Sequence, residues 1–391
     1  MLKREIFIVG AKGIPARYGG FESFVDQLTA RKQTNQIHYY VACRRDLSEN
    51  KADFYEYNDA TCFNVDVPNI GPARAIMYDI KALKESLKII RQKNIENPII
   101  YVLACRMGPF INHFKKQLKK FNGKLLVNPD GHEWLRAKWS IPVRKYWKLS
   151  EQLMVKHADL LICDSQNIEE YIKTDYSQYQ PQTRYIAYGS DIKRSEVSLQ
   201  DKKVQEWYKK FDIKLNKYYL IVGRFVPENN YETMIKEFMK SNTNKDLVII
   251  TNVEKNKFYN DLEKTSHFLN DKRIKFVGTV YDSKTLKFIR ENAFAYLHGH
   301  EVGGTNPSLL EALGSTKVNL LLDVGFNREV GMNGAHYWSK VPGSLSKLIN
   351  STENLSEKEI NQLELLAKGQ ISNHFDWVLI VDRYEKAFTE N

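Results

Sequence analysis

Four short polar stretches combine residue types that bind phosphate or move protons. His298 to Glu311 reads HGHEVGGTNPSLLE: two histidines, the glycine pair Gly303 and Gly304, then Thr305, Asn306 and Pro307 ahead of one carboxylate, Glu311. Ile221 to Asn230 reads IVGRFVPENN, which puts Arg224 just past an apolar run and Asn229 five residues further on. Near the N-terminus, VGAKGIPARYGGFESF ends in Gly19 and Gly20 at the start of an amphipathic stretch, and LLVNPDGHEW gathers Asp130, His132 and Glu133. Glycine pairs opening a helix let a ligand approach the backbone and meet unpaired N–H groups, which suits a phosphate. An arginine at the carboxyl end of a strand donates a planar fork to a diphosphate. An Asp, His and Glu group orients a hydroxyl or takes part in proton transfer. Each stretch also has a plainer alternative: a tight turn, a surface arginine, a capping cluster or an ordinary connecting loop. The N-terminal glycines do not make G-x-G-x-x-G, and no G-x-x-x-x-G-K-[ST] occurs, so dinucleotide and P-loop readings are weak.

All four stretches follow short apolar runs, and this sets the architecture that must position them. Strands are expected near Ile6–Val9, His38–Ala42, Cys62–Val65, Ile99–Leu103, Leu125–Val127, Leu160–Cys163 and Arg184–Ala187, with helices between them. A polar, charged stretch from Ser190 to Lys217 interrupts the alternation, which resumes at Tyr219–Val222, Leu247–Thr251, Ile274–Val277, Phe294–Leu297 and Val318–Leu322. The expectation is an α/β chain of two doubly wound, Rossmann-like domains joined near residue 190, with the cleft between them as the site. Gly314 is expected to close the helix after Pro307 as its C-cap.

At 391 residues the chain is too long for one ordinary core, and 42% hydrophobic residues give it enough to bury two. No charged-then-apolar leader opens it, and its apolar runs, such as Pro98 to Cys105, are strand-sized and too short to span a bilayer. A cytoplasmic protein is expected. Cys43, Cys62, Cys105 and Cys163 stand far apart, which argues for reduced, buried thiols. The net charge of +11 is unevenly spread. Between Arg106 and Lys148 stand Lys115, Lys116, Lys119, Lys120, Lys124, Arg136, Lys138, Arg144 and Lys145, interleaved with Phe110, Phe114, Phe121, Trp134, Trp139, Tyr146 and Trp147. Such a face fits an anionic inner-leaflet membrane surface; it would also suit nucleic acid, or be a solvated lysine-rich face. The membrane is the partner expected here, and nucleic acid is not.

Together, GIPARYGGFE, NPDGHEW, VGRFVPENN, HGHEVGGTNPSLLEALGS and LLLDVGFNREV resemble the retaining nucleotide-sugar glycosyltransferases of family four, which have the GT-B fold. The closer resemblance is to bacterial rhamnosyltransferases that move L-rhamnose from dTDP-rhamnose to a lipid-linked sugar in capsule or cell-wall polysaccharide assembly. It covers nearly the whole chain. It implies an acceptor-binding domain over 1–190, a nucleotide-sugar-binding domain over 191–372, and a terminal helix over 373–391 that crosses back to the first. By position, Gly19, Gly20 and Arg224 would face the donor diphosphate. Gly303, Gly304, Thr305, Asn306 and Pro307 would lie along the sugar and phosphates, and Glu311 would hold the donor ribose. Two positions depart from the wider family: Gly303 stands where a first glutamate is usual, and Asn229 where a lysine is usual. Both departures argue against a standard UDP-glucose or GDP-mannose donor and are compatible with a 6-deoxy-L-sugar.

The resemblance further implies transfer with retention, the leaving phosphate itself receiving the acceptor proton, with Asp130 and His132 positioning the acceptor. The acceptor would be a polyprenyl-diphosphate-linked sugar, glucose or N-acetylglucosamine in β-1,4 linkage, and the enzyme would work peripherally on the inner face of the plasma membrane. No cofactor is expected. No D-x-D triplet occurs, consistent with charge on the diphosphate being met by Arg224 and helix N-termini in place of a metal. Two other classes remain open: a nucleotide-sugar epimerase, which would need no lipid acceptor, and a non-catalytic nucleotide-sugar-binding subunit, which would release nothing.

Overall fold

The computed structural model describes residues 3–17, 19–136, 139–253 and 255–390. Tyr18 of the first glycine stretch and Lys138 of the basic segment lie outside them. The chain forms two compact units, residues 1–188 with 377–391, and residues 189–376.

In the first unit, β1 (Arg4–Val9), β2 (Ile37–Arg44), β3 (Phe54–Tyr57), β4 (Ala60–Val65), β5 (Ile99–Leu103), β6 (Lys124–Asn128), β7 (Leu160–Cys163) and β8 (Thr183–Tyr185) form one sheet in the order β3-β4-β2-β1-β5-β6-β7-β8. All pairings are parallel except β3 with β4. Helices cover both faces, so the inner strands are buried on both sides and carry continuous apolar runs such as Ile6 to Val9. The antiparallel edge strand β3 was not expected from sequence; its residues FYEY alternate between exposed and half-buried, too weak a pattern over four positions. The helix Trp377–Glu390 completes this unit. Tyr384 and Phe388 pack their rings against Phe24, Tyr39 and Tyr101, and Glu385 accepts from the N–H groups of Gln33 and Thr34 at 2.8 and 3.0 Å. The expected start at residue 373 falls inside a π-helical turn, Ile371–Phe375, which belongs to the second unit; extended Asp376 separates the two.

The second unit is a parallel sheet of β9 (Tyr218–Val222), β10 (Asp246–Ile250), β11 (Ile274–Gly278), β12 (Ala295–His298), β13 (Asn319–Leu322) and β14 (His336–Trp338), in the order β11-β10-β9-β12-β13-β14. Two apolar clusters fill its faces, one around Tyr219, Ile249, Leu297 and Leu320, the other around Tyr218, Leu220, Val248 and Tyr296. The polar stretch after residue 190 is not a bare linker: it contains the helix Lys202–Lys210, which buries Val204 and Tyr208 in the second cluster. Gly314 does not cap its helix. It lies within the last turn of Pro307–Ser315, and a Cβ there would stand 2.5 Å from the Asp191 carbonyl oxygen, so close backbone approach is what requires glycine.

Candidate functional site

In the second unit, three of the sequence stretches are stitched together at the carboxyl ends of β9, β12 and β13. Arg224 follows β9 and is exposed. Its carbonyl oxygen accepts from the Asn229 amide at 2.7 Å, and the amide oxygen of Asn229 meets His300 Nδ1 at 2.8 Å. Asn230 donates to the Gly299 carbonyl at 2.8 Å, and Asn327, from the GFNREV stretch after β13, donates to the His300 carbonyl at 3.1 Å. The polar atoms of Asn229 are thus engaged in joining two loops. It is a brace beneath Arg224 and not a substitute cation.

The helix Pro307–Ser315 starts from this brace. Asn306 caps it, accepting from the Ser308 N–H at 2.9 Å, and Pro307 takes the first helical position, where no N–H is needed. Gly303, at φ 113°, Gly304 and Thr305 are buried beside it, and Asn306 is half-buried. Glu311, one turn into the helix, leaves about half its side chain exposed while Oε2 meets Nη2 of buried Arg290 at 2.6 Å. Arg290 also donates to Ser308 Oγ at 3.1 Å, and Ser308 meets the Tyr296 hydroxyl at 3.0 Å and donates to the Val222 carbonyl at 3.1 Å. Sequence reasoning missed Arg290. It lies in an unremarkable amphipathic helix, Ser283–Glu291, with no local signal that it turns inward.

The first unit carries two further loops. Gly19 precedes the helix Gly20–Ala30 at φ 127°. That backbone conformation favours glycine, and a Cβ there would also displace the Glu22 carboxylate, whose Oε2 would stand 1.9 Å away. Glu22 Oε1 accepts from the Lys12 N–H at 2.8 Å, and Asp26 accepts from the Ala16 N–H at 2.8 Å. The loop between Gly10 and Gly19 is therefore latched to its own helix, and a carboxylate stands where an anion was expected against Gly19 and Gly20.

After β6 and Pro129, Asp130, Gly131 and His132 are all left-handed, at φ 57°, 80° and 55°. Such a run persists only where the surroundings over-determine it, and it marks candidate functional backbone. Asn128 accepts from the Asp130 N–H at 2.8 Å, and a Cβ on Gly131 would meet Ile168 Cδ1 at 2.4 Å. Buried Arg136 meets Glu133 at 2.5 Å and Asp130 at 3.8 Å. The half-buried His132 ring packs against Tyr171 with centroids 4.1 Å apart and planes tilted by 39°, and burial, then the nearby Lys148 cation, hold its pKa below the ordinary histidine value. The partners below it, Glu151, Tyr171 and Tyr176, carry no sequence signature.

The basic segment divides in two. Arg106 donates to the Gly10 carbonyl at 3.0 Å and pairs with buried Asp79 at 3.1 Å; Lys115 pairs with Asp159 at 2.6 Å; Arg136 and Lys148 bind the carboxylates of their own loop and helices. These are internal tethers and not part of a charged face. Lys116, Lys119, Lys120 and Lys145 are exposed, and so are the apolar side chains of Phe110, Leu135, Ile141 and Leu149.

Residues 3–191 match a family described as a domain of unknown function, DUF1972. No curated protein sequence matches the chain. Among solved structures it is similar to sucrose-phosphate synthase from Thermosynechococcus elongatus, with a TM-score of 0.80 at 15% identity over 99% of both chains. It is also similar to a glycosyltransferase from Rickettsia africae, with a TM-score of 0.72 at 14% identity over 99% of this chain and 98% of that one. Anabaena HepE in complex with UDP and glucose gives a TM-score of 0.70 at 13% identity over the whole of both chains. The chain has the GT-B fold, as the first resemblance implied.

Proposed function

We propose that the chain is a glycosyltransferase that takes a nucleoside-diphosphate sugar as donor. The observation that carries this is the cluster in the second unit: exposed Arg224 held from below by Asn229, a capped helix N-terminus beside it, and Glu311 one turn further along that helix. That set provides a bidentate cation, N–H groups and a carboxylate acceptor in the order diphosphate to ribose. Support also comes from solved structures of the same fold, one holding UDP with glucose.

The donor proposed is dTDP-rhamnose, because Gly303 stands where a hexose-binding glutamate is usual. The acceptor proposed is a polyprenyl-diphosphate-linked sugar positioned by Asp130 and His132, and transfer proceeds with retention. Arg224 and helix N–H groups meet the charge of the leaving diphosphate, so no divalent ion is required and activity should persist in chelator. A peripheral site on the anionic inner leaflet is supported by the exposed Phe110, Leu135, Ile141 and Leu149 among four exposed lysines. No helix among the described residues is long and apolar enough to cross a membrane.

A donor panel against a lipid-diphosphate monosaccharide, scored by nucleotide release and product mass, tests the reading. Transfer from UDP-glucose or GDP-mannose with dTDP-rhamnose inert would remove the rhamnose assignment and leave the transferase. Donor conversion that ignores acceptor would favour an epimerase.

A further inference from the structure

Beneath the NPDGHEW loop lies a buried polar cluster that the reading above does not use. Glu151, 3% exposed on the helix Ile141–His157, accepts from the hydroxyls of Tyr171 and Tyr176, and the His132 backbone N–H also reaches it. The Tyr171 ring packs at a tilt against that of His132, and its hydroxyl accepts from the Trp134 indole at 3.3 Å. Lys148 sits in the middle. Its Nζ donates to Tyr171 at 2.8 Å and stands 4.6 to 5.1 Å from the ring centroids of Trp134, Tyr171 and Tyr176.

A lysine seated on three aromatic rings, with carboxylates at 3.5 Å (Asp175) and 3.8 Å (Glu151), has little freedom to move away. Its charge therefore acts on His132 at fixed range. An imidazolium carries two donors and no acceptor, whereas neutral imidazole keeps one nitrogen free to accept. We propose that Lys148 is a positioning residue that adds to burial in disfavouring the charged form of the His132 ring, and so helps leave it able to accept a hydrogen bond from an acceptor hydroxyl, while Glu151 pins the left-handed backbone that presents it. This rests on the acceptor-side reading of His132. The charged groups facing the ring are Lys148 and Glu151 from one helix and Asp175 from the end of the next; Glu133 and Arg136 lie on its own segment. Among these, Lys148 opposes protonation and Asp175 favours it, on top of the larger effect of burial.

The test is the titration of the His132 imidazole by NMR in the full chain labelled at histidine, with His132→Gln assigning the resonance. Lys148→Gln is expected to move the midpoint up, Lys148→Arg to leave it in place, and Asp175→Asn to move it down. The acid limb of kcat/KM should move with it. An unmoved or lowered midpoint in folded Lys148→Gln overturns the inference; if that variant does not fold, the same result in Lys148→Met, which keeps the aliphatic stem on the three rings while removing the charge, does so. The titration needs no substrate. If the midpoints move as expected while His132→Gln transfers sugar normally, the acceptor role of His132 fails and the electrostatic relation stands.

Discussion

Arg290 and Glu311 form an ion pair with one end buried and the other at the surface: Nη2 meets Oε2 at 2.6 Å, the arginine nearly covered and the glutamate half in solvent. This gives Glu311 two tasks, orienting its free oxygen and offsetting a buried cation. Glu311→Gln should therefore weaken dTDP binding about 10- to 150-fold, the loss of one charge-assisted hydrogen bond worth about 1.5–3 kcal/mol. It should also lower the melting temperature by a few degrees, because Arg290 is left without its carboxylate. Calorimetric titration with dTDP beside a thermal melt measures both. Binding as tight as wild type would reduce Glu311 to a structural partner of Arg290.

Asn229 braces Arg224 through one hydrogen bond and His300 through another. Removing both in Asn229→Ala is expected to cost about 1–3 kcal/mol in holding the loop. The expected signature is a higher KM for donor, with KM for acceptor unchanged. Equal change in both constants would mean that the brace serves overall stability.

The membrane prediction is narrowed by the tethering of Lys115 to Asp159. Neutralising Lys116, Lys119, Lys120 and Lys145 together, and leaving Lys115 alone, should weaken binding to anionic vesicles by about 1 kcal/mol per charge at low salt. Ile141→Ser, at a side chain 71% exposed, should weaken it further. Vesicle binding that survives the quadruple change at low ionic strength, where screening is least, would rule this face out.

His298 ends β12 fully inside the second unit, and its Nε2 has no hydrogen-bond partner among the described residues. Burial pushes its pKa down to about 3. The unfolded chain binds this proton near pH 6.5 and the folded chain does not, so the contribution is fully present above that value and is lost as pH falls. Chemical denaturation at pH 8 and pH 5 should show a loss of about 2 kcal/mol attributable to this group. His298→Leu should abolish that share of the slope, and an unchanged slope would show that the ring titrates in the fold as it does in the unfolded chain.

Much of the fold was legible because parallel strands buried on both faces must be apolar throughout, and runs such as Ile6 to Val9 announce themselves. What escaped was short or partial. β3 and β14 have four and three residues, and the helix Lys202–Lys210 buries only Val204 and Tyr208 in a segment otherwise full of lysine. At the candidate site, the loops were visible as glycine and asparagine clusters, but their supports were not. Arg290, Glu151 and Lys148 are ordinary helix-surface residue types, and only tertiary packing turns them inward. The basic segment looked broader in the sequence than in the fold for the same reason, since composition cannot tell a solvated lysine from one bound to Asp159.

The helix Trp377–Glu390 belongs to the first unit, although the whole second unit intervenes in the chain. During synthesis the first 188 residues leave the ribosome well before Tyr384 and Phe388 exist, so Phe24, Tyr39 and Tyr101 wait with an aromatic surface uncovered. The first unit is then the last to finish, and the closing step joins residues more than 340 positions apart, as between Gln33 and Glu385. A nascent chain stalled after the second unit would be half mature and prone to association through that surface. Damage in the helix Trp377–Glu390 would thus be felt as a folding defect around Phe24, Tyr39 and Tyr101.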